Sequence, residues 1–164
     1  MAINTTRDLF IYELGVLRDA ENSSRRLLDF MVLEAKGSDV VQILQGVKQE
    51  NEQHLANIKS CLDSLGYSPM ETMSESVEGI YKRFQEFVGL QPAPEMLNQF
   101  AVDTAIRCLY VVIAEYKTLV DWAILMAESQ CVQNLHANLV EKQETASKLE
   151  RFSHEMGVRL LAPA

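Results

Sequence analysis

Apolar residues along this chain recur at alternating steps of three and four, the spacing of one buried face on an α-helix. Four stretches carry that pattern far enough to be bundle helices. The first seam reads Phe10, Leu14, Leu17, Glu21, Ser24, Leu28, Met31, Ala35. The second reads Val40, Ile43, Val47, Glu50, His54, Ile58, Cys61, Leu65. The third reads Leu97, Ala101, Ala105, Cys108, Val112, Tyr116, Leu119, Ala123, and the fourth Val132, Leu135, Leu139, Lys142, Ala146, Leu149, Phe152, Met156.

Local punctuation sets the expected ends. Thr5 or Thr6 caps the first helix, with Asp8 in its first turn, and Gly37 stops it. Ser38 or Asp39 caps the second, which Gly66 closes. Ser68-Pro69 opens a weaker segment whose Tyr81, Phe84, Phe87 and Val88 form one apolar face, and short crossover helices are expected there. Gln91-Pro92-Ala93-Pro94 is a linker, Pro94 starts the third long helix, and Gly157 ends the fourth. The predicted helices cover about residues 5–36, 38–65, 95–129 and 132–156, with a crossover over 67–94, in a single domain spanning 1–164. The tail after Gly157 either hangs free or docks through Leu160 and Leu161. Short breaks within each helix pair make the partners antiparallel. The expectation is an all-α, antiparallel four-helix bundle.

Four ionisable residues interrupt the seams: Glu21, Glu50, His54 and Lys142. Each lies near the middle of its helix, and antiparallel packing brings helix middles together. A charge buried without a partner costs several kcal/mol, so these four are expected to meet in a polar core cluster.

Composition narrows the function classes. A net charge of −8 without a basic run removes the electrostatic footprint of nucleic-acid binding and disfavours anionic membranes. The longest apolar stretch, residues 100–126, carries Asp103, Arg107, Glu115, Lys117 and Asp121 and so reads as a buried helix. Three cysteines lack metal-type spacing, and the polar start lacks the apolar core of a signal peptide, so a cytoplasmic protein is expected. Cys61 and Cys108 fall on seams, whereas Cys131, near the last turn, is expected to be accessible. The third helix is apolar nearly all round at Leu109 to Ile113, more than one bundle face uses, which favours a homodimer. No nucleophile triad and no glycine-rich phosphate loop is present.

The stretches DLFIYELGVLRDAENSSRRLL, ENEQHLANIKSCLDSLG, IRCLYVVIAEYKTL and LVEKQETASKLERF resemble the YciF-like stress-protein family of ferritin-like domains. The resemblance implies a ferritin-like bundle, a tendency to dimerise, and a di-metal site built from acids and histidines of the four helices. Carried over by position, the family's ligands fall on Glu21 in the first helix and on Glu50 and His54 in the second. Its third-helix acids fall on Leu109 and Val112, and its fourth-helix acids on Lys142 and Ala146. Glu115, Glu141 and Glu144 lie off the core lines. Glu21, Glu50 and His54 are too few to offset the charge of two irons, and Lys142 adds a cation. The favoured expectation is a metal-free centre without a cofactor, in which the Lys142 ammonium sits between Glu21 and Glu50. The protein then acts non-catalytically, in stress response or by binding a protein partner. An iron- or manganese-dependent oxidase or peroxide-handling protein, with Glu21, Glu50 and His54 as ligands, is one alternative, and a small-ligand-binding bundle is another.

Overall fold

A computed structural model describes residues 3–68 and 74–162, which form five helices and no strand. They are α1 (Thr6–Glu34), α2 (Ser38–Ser64), α3 (Glu75–Gly89), α4 (Pro94–Leu125) and α5 (Ser129–Leu161). α1 packs beside α2 and α4, and α5 beside the same two, which closes a four-helix bundle, while α3 lies across α1 and α4. Among the described residues no helix is long and apolar enough to cross a membrane.

The helix ends have identifiable causes. Thr5 caps α1 by a reciprocal box: its hydroxyl accepts from the Asp8 N–H at 3.1 Å, and Asp8 Oδ2 accepts from the Thr5 N–H at 2.9 Å. α1 stops two residues before the expected Lys36 because Asn98 of α4 takes over the backbone donors there. Its Oδ1 accepts from the Lys36 N–H at 2.8 Å and from the Gly37 N–H at 3.3 Å. Gly37 is needed for closeness, since a Cβ on it would come within 2.9 Å of Asn98 Nδ2. α2 ends in a Schellman motif, with Gly66 at φ +70° and the Tyr67 N–H bonded to the Leu62 carbonyl at 3.0 Å.

Three boundaries depart from the sequence expectation by several residues. α4 ends at Leu125, not near 129, in a second Schellman motif: Glu128 N–H reaches the Ala123 carbonyl at 3.0 Å. The left-handed residue there is Ala127, at φ 56°, so no glycine announced the stop. α5 begins at Ser129 and runs through Gly157 to Leu161. A glycine weakens a helix but ends it only by turning left-handed, and Gly66 alone among the described glycines does so.

The crossover contains one helix among the described residues, α3, where several short ones were expected; the start at Pro69 lies outside the described residues. Phe87 of α3 stacks on Phe100 of α4 with centroids 3.9 Å apart, and Phe30 of α1 meets Tyr81 and Phe84 edge-on. α4 therefore touches all four other helices, which accounts for its all-round apolar surface within one chain.

Candidate polar core between the helix midpoints

Glu21 projects from the middle of α1 into the bundle and is fully buried. Its carboxylate is held from three helices. Tyr116 of α4 donates its hydroxyl to Oε1 at 2.8 Å, Lys142 of α5 donates from Nζ to Oε2 at 2.8 Å, and Asn51 of α2 donates from Nδ2 to Oε2 at 2.5 Å. Asn51 also donates to the Glu21 backbone carbonyl at 3.1 Å. Lys142 is 3% exposed, so this is an ion pair removed from water, whose charges must satisfy each other.

A second ring of bonds orients the first. Asn138 of α5 donates to the Tyr116 hydroxyl at 3.0 Å and to the His54 carbonyl at 3.1 Å, and accepts from Asn57 at 2.6 Å. Burial, reinforced by the Glu21 charge, pushes the Tyr116 hydroxyl well above its ordinary value, so it remains a donor. His54 bonds through Nε2 to Glu141 Oε2 at 2.7 Å, and its Nδ1 lies 3.9 Å from Glu21 Oε1. Burial, and next the Lys142 charge, push the imidazole below its usual range and keep it neutral. With Nε2–H donated to Glu141, Nδ1 faces Glu21, and Nδ1 and Asn51 Oδ1 have no hydrogen-bond partner among the described residues.

Of the four residues singled out from sequence, Glu21, His54 and Lys142 come together and Glu50 does not. Glu50 is half-buried and accepts from Thr145 Oγ1 at 2.6 Å, so Lys142 bonds directly to Glu21 and acts on Glu50 only through its charge. Burial is the main cause that raises the Glu50 carboxyl. The cause of the correction is the order of steps along α2. The buried line runs Val40, Leu44, Val47, Asn51, His54, Ile58, Cys61, so Leu44 and Asn51 replace Ile43 and Glu50. Both lines keep the three-four rhythm, and the neutral Asn51 carries no charge to mark it on the seam. Its spacing of three from His54 was the available signal.

Glu141 is a second departure from the core lines. Its backbone is off the α5 seam, yet its side chain reaches back to His54 while staying 45% exposed. Glu115 is also partly buried, and burial, followed by Glu13 and Glu21, raises its carboxyl to about 7. Cys131 is buried, not accessible as expected, because α5 begins three residues earlier and turns it inward against Cys61. Beside Lys142 a narrow apolar cavity, lined by Ser24, Leu27, Met31, Cys108 and Val112, has room for about one water molecule.

A di-metal carboxylate centre takes one glutamate from each of two bundle helices and a Glu-x-x-His pair from each of the other two. Here α1 supplies Glu21, α2 supplies Asn51 and His54 at that spacing, α5 supplies Lys142 and Thr145, and α4 supplies Val112 and Tyr116. A neutral amide, an ammonium and a hydroxyl thus stand where acids and an imidazole are required. Among the described residues no group of three or more His, Cys, Asp or Glu side chains is arranged to hold a metal ion. The donor set does not fit two metals, because one buried carboxylate, already neutralised by an ammonium, cannot balance about four positive charges.

A family model described as a domain of unknown function (DUF892) matches residues 5–160. Among solved structures the chain is similar to YcfI of Rhodopseudomonas palustris, at 26% identity and a TM-score of 0.85, over 90% of this chain and 94% of that one. The E. coli stress protein YciF matches at 19% identity and a TM-score of 0.88, over 94% and 98% of the two chains. A ferritin-like, diiron-carboxylate protein from Bacillus anthracis matches at 12% identity and a TM-score of 0.73, over 92% and 99%. The last two speak for the ferritin-like fold alone. No curated protein matches.

Proposed function

The chain belongs to the DUF892 family, and from that premise we propose that it is a metal-free ferritin-like bundle acting through its surface, in stress response or as a partner-binding protein. The observation that carries this reading is the buried contact of Lys142 Nζ with Glu21 Oε2 at 2.8 Å. An ammonium supplies there, from within the chain, the positive charge that a metal would otherwise bring to the carboxylate. Three of the roughly four lone-pair directions of the Glu21 carboxylate already accept hydrogen bonds from within the chain, which leaves little capacity for a substrate. Similarity in fold to a protein described as a stress protein supports the stress setting. Free cysteines suit a reducing compartment such as the cytoplasm. Exposed Ile124 and Leu125 near the end of α4 are an apolar surface that a second copy would cover, so the proposed assembly is a homodimer, to be checked by light scattering at micromolar concentration.

The decisive experiment is metal analysis of the purified protein, as isolated and after anaerobic incubation with iron(II) or manganese(II) followed by desalting. The proposal expects far less than one metal per chain in every sample. Two tightly held metals per chain would overturn it in favour of a di-iron or di-manganese oxidase.

A further inference from the structure

Two helical turns from His54 and Asn138, the last turn of α2 meets the first turn of α5. Cys61 and Cys131 face each other there, 70 residues apart in sequence. Cys131 Sγ lies 3.9 Å from the Cys61 carbonyl oxygen and 3.9 Å from Ser64 Oγ. The register of the two helices at this end is fixed on either side of the thiols. Gln130 donates to Ser60 Oγ at 3.0 Å, and Asn134 donates to the Asn57 carbonyl at 3.4 Å. Both thiols are buried and free.

The two sulfurs are not equivalent. The side-chain hydrogen bond between them is the largest influence on each, raising Cys61 and lowering Cys131. Ser64 also lowers Cys131. The direction of the shift favours Cys131 as the thiol that ionises, and to do so it gives up its S–H contact to the Cys61 carbonyl. An acidic thiol beside a protonated one is the pairing in which the first reacts with an oxidant and the second resolves the product. Cys108 lacks that arrangement. It is buried against Ser24, its contact to Ser24 Oγ is 3.1 Å, and burial raises its thiol to about 11.

We propose that Cys61 and Cys131 form a redox-modification site, at which a hydroperoxide converts the facing thiols into an intramolecular disulfide tying α2 to α5. The Cys131 thiolate attacks the terminal oxygen of the peroxide, forming an S–O bond and breaking the O–O bond; the other oxygen leaves as hydroxide or alkoxide and takes up a proton to become water or an alcohol. The Cys61 thiol then attacks the Cys131 sulfenic sulfur. The S–S bond forms, the S–O bond breaks, and the hydroxyl leaves as water with the Cys61 proton. Two thiols are oxidised and one peroxide is reduced.

Burial makes the reaction depend on opening of the helix ends. The turn before α5 carries Ala127 at φ 56°, and Glu128 at the N-cap does not cap the α5 N–H groups, its carboxylate being paired with Arg7 at 2.8 Å. Uncapped terminal turns open at low cost compared with the helix interior, and peroxide is barely larger than water.

The test uses the reduced full-length chain, dilute hydrogen peroxide, a catalase quench, alkylation in denaturant, and peptide mass mapping without reductant. The expected product is a monomeric chain lighter by two hydrogen atoms, with the Cys61 and Cys131 peptides joined and Cys108 alkylated. Oxidation should raise Tm by about 5–10 °C, reversibly with dithiothreitol, because a long loop is closed. Cys61→Ala should leave a sulfenic acid on Cys131 that dimedone traps, whereas Cys108→Ala should form the disulfide as the native chain does. Three results would overturn the proposal: a bond involving Cys108, a bond between chains, or sulfinic acid on Cys131 without any cross-link. Thiols left untouched by peroxide that oxidises free cysteine would overturn it as well. Mapping the native chain alone decides the question should a variant fail to fold.

Discussion

The ammonium of Lys142 and the carboxylate of Glu21 are 121 residues apart in sequence and 2.8 Å apart in the bundle, and neither is reached by solvent to any useful extent. A pair of this kind is worth little relative to two well-packed apolar residues, but half of it is costly to keep alone. Lys142→Met keeps the aliphatic volume and strands the carboxylate. The expected loss in urea unfolding at neutral pH is about 3–5 kcal/mol, against almost nothing for a solvated lysine. Adding Glu21→Gln should recover part of that loss. Adding Glu50→Gln instead should recover less, because Glu50 bonds to Thr145 and meets Lys142 only through its charge. A neutral Lys142→Met would refute the buried pair.

The positions facing Glu21 also prescribe how a metal centre would be rebuilt. Asn51→Glu, Val112→Glu, Lys142→Glu and Thr145→His together restore two Glu-x-x-His pairs and a second single acid at buried positions. The combined variant should bind iron(II) or manganese(II) in calorimetry and gain thermal stability on binding, since metal affinity is coupled to folding. Its apo form should be less stable than the native chain. The same substitutions with Glu50 in place of Asn51 as the α2 acid should bind more weakly, and equal binding would mean that the α2 register described above is wrong.

Glu115 should make stability fall as pH rises. Burial and the neighbouring Glu13 and Glu21 carry its carboxyl from an ordinary 4.5 to about 7. Between those values the folded chain keeps a proton that the unfolded chain has released, so raising the pH through this window favours unfolding, and the penalty is complete above it. Glu115→Gln should therefore stabilise the protein at pH 8 by about 1 kcal/mol, a figure reduced for the side chain's partial exposure, with little effect at pH 4. Denaturant titrations of both proteins across that range give the comparison. A variant equally stabilised at both ends would point to packing as the cause.

Ala127 closes a Schellman motif at φ 56°, where a side chain is strained and glycine is not. Ala127→Gly should raise stability by about 0.5–1 kcal/mol, the relief of left-handed strain outweighing the added freedom of the unfolded chain. Thermal or denaturant unfolding should register the gain with m unchanged. A loss would indicate that the Ala127 methyl contributes packing that the turn geometry alone does not reveal.

The order and antiparallel pairing of the four bundle helices were legible in the chain because they depend on a periodic property. Seams at steps of three and four, with glycine and proline between them, describe the same bundle whichever residue within a turn is innermost. Glu21, His54 and Lys142 were legible for the same reason, each being a charge on an apolar line. Departures arise wherever a neighbour chooses between two local solutions. Asn98 ends α1 early by taking its last backbone donors. Ala127 accepts a left-handed conformation because α4 and α5 must reverse there. Asn51, and not Glu50, takes the inner position on α2, since the amide can bond both the carboxylate and the carbonyl of Glu21. A rotation of one residue costs the helix nothing, and only partners from three other helices distinguish the two settings. The partnership of Lys142 with Glu21 alone, the return of Glu141 to His54, and the burial of Cys131 against Cys61 are likewise properties of the assembled bundle. Each depends on a contact between helices, which no spacing along one helix contains.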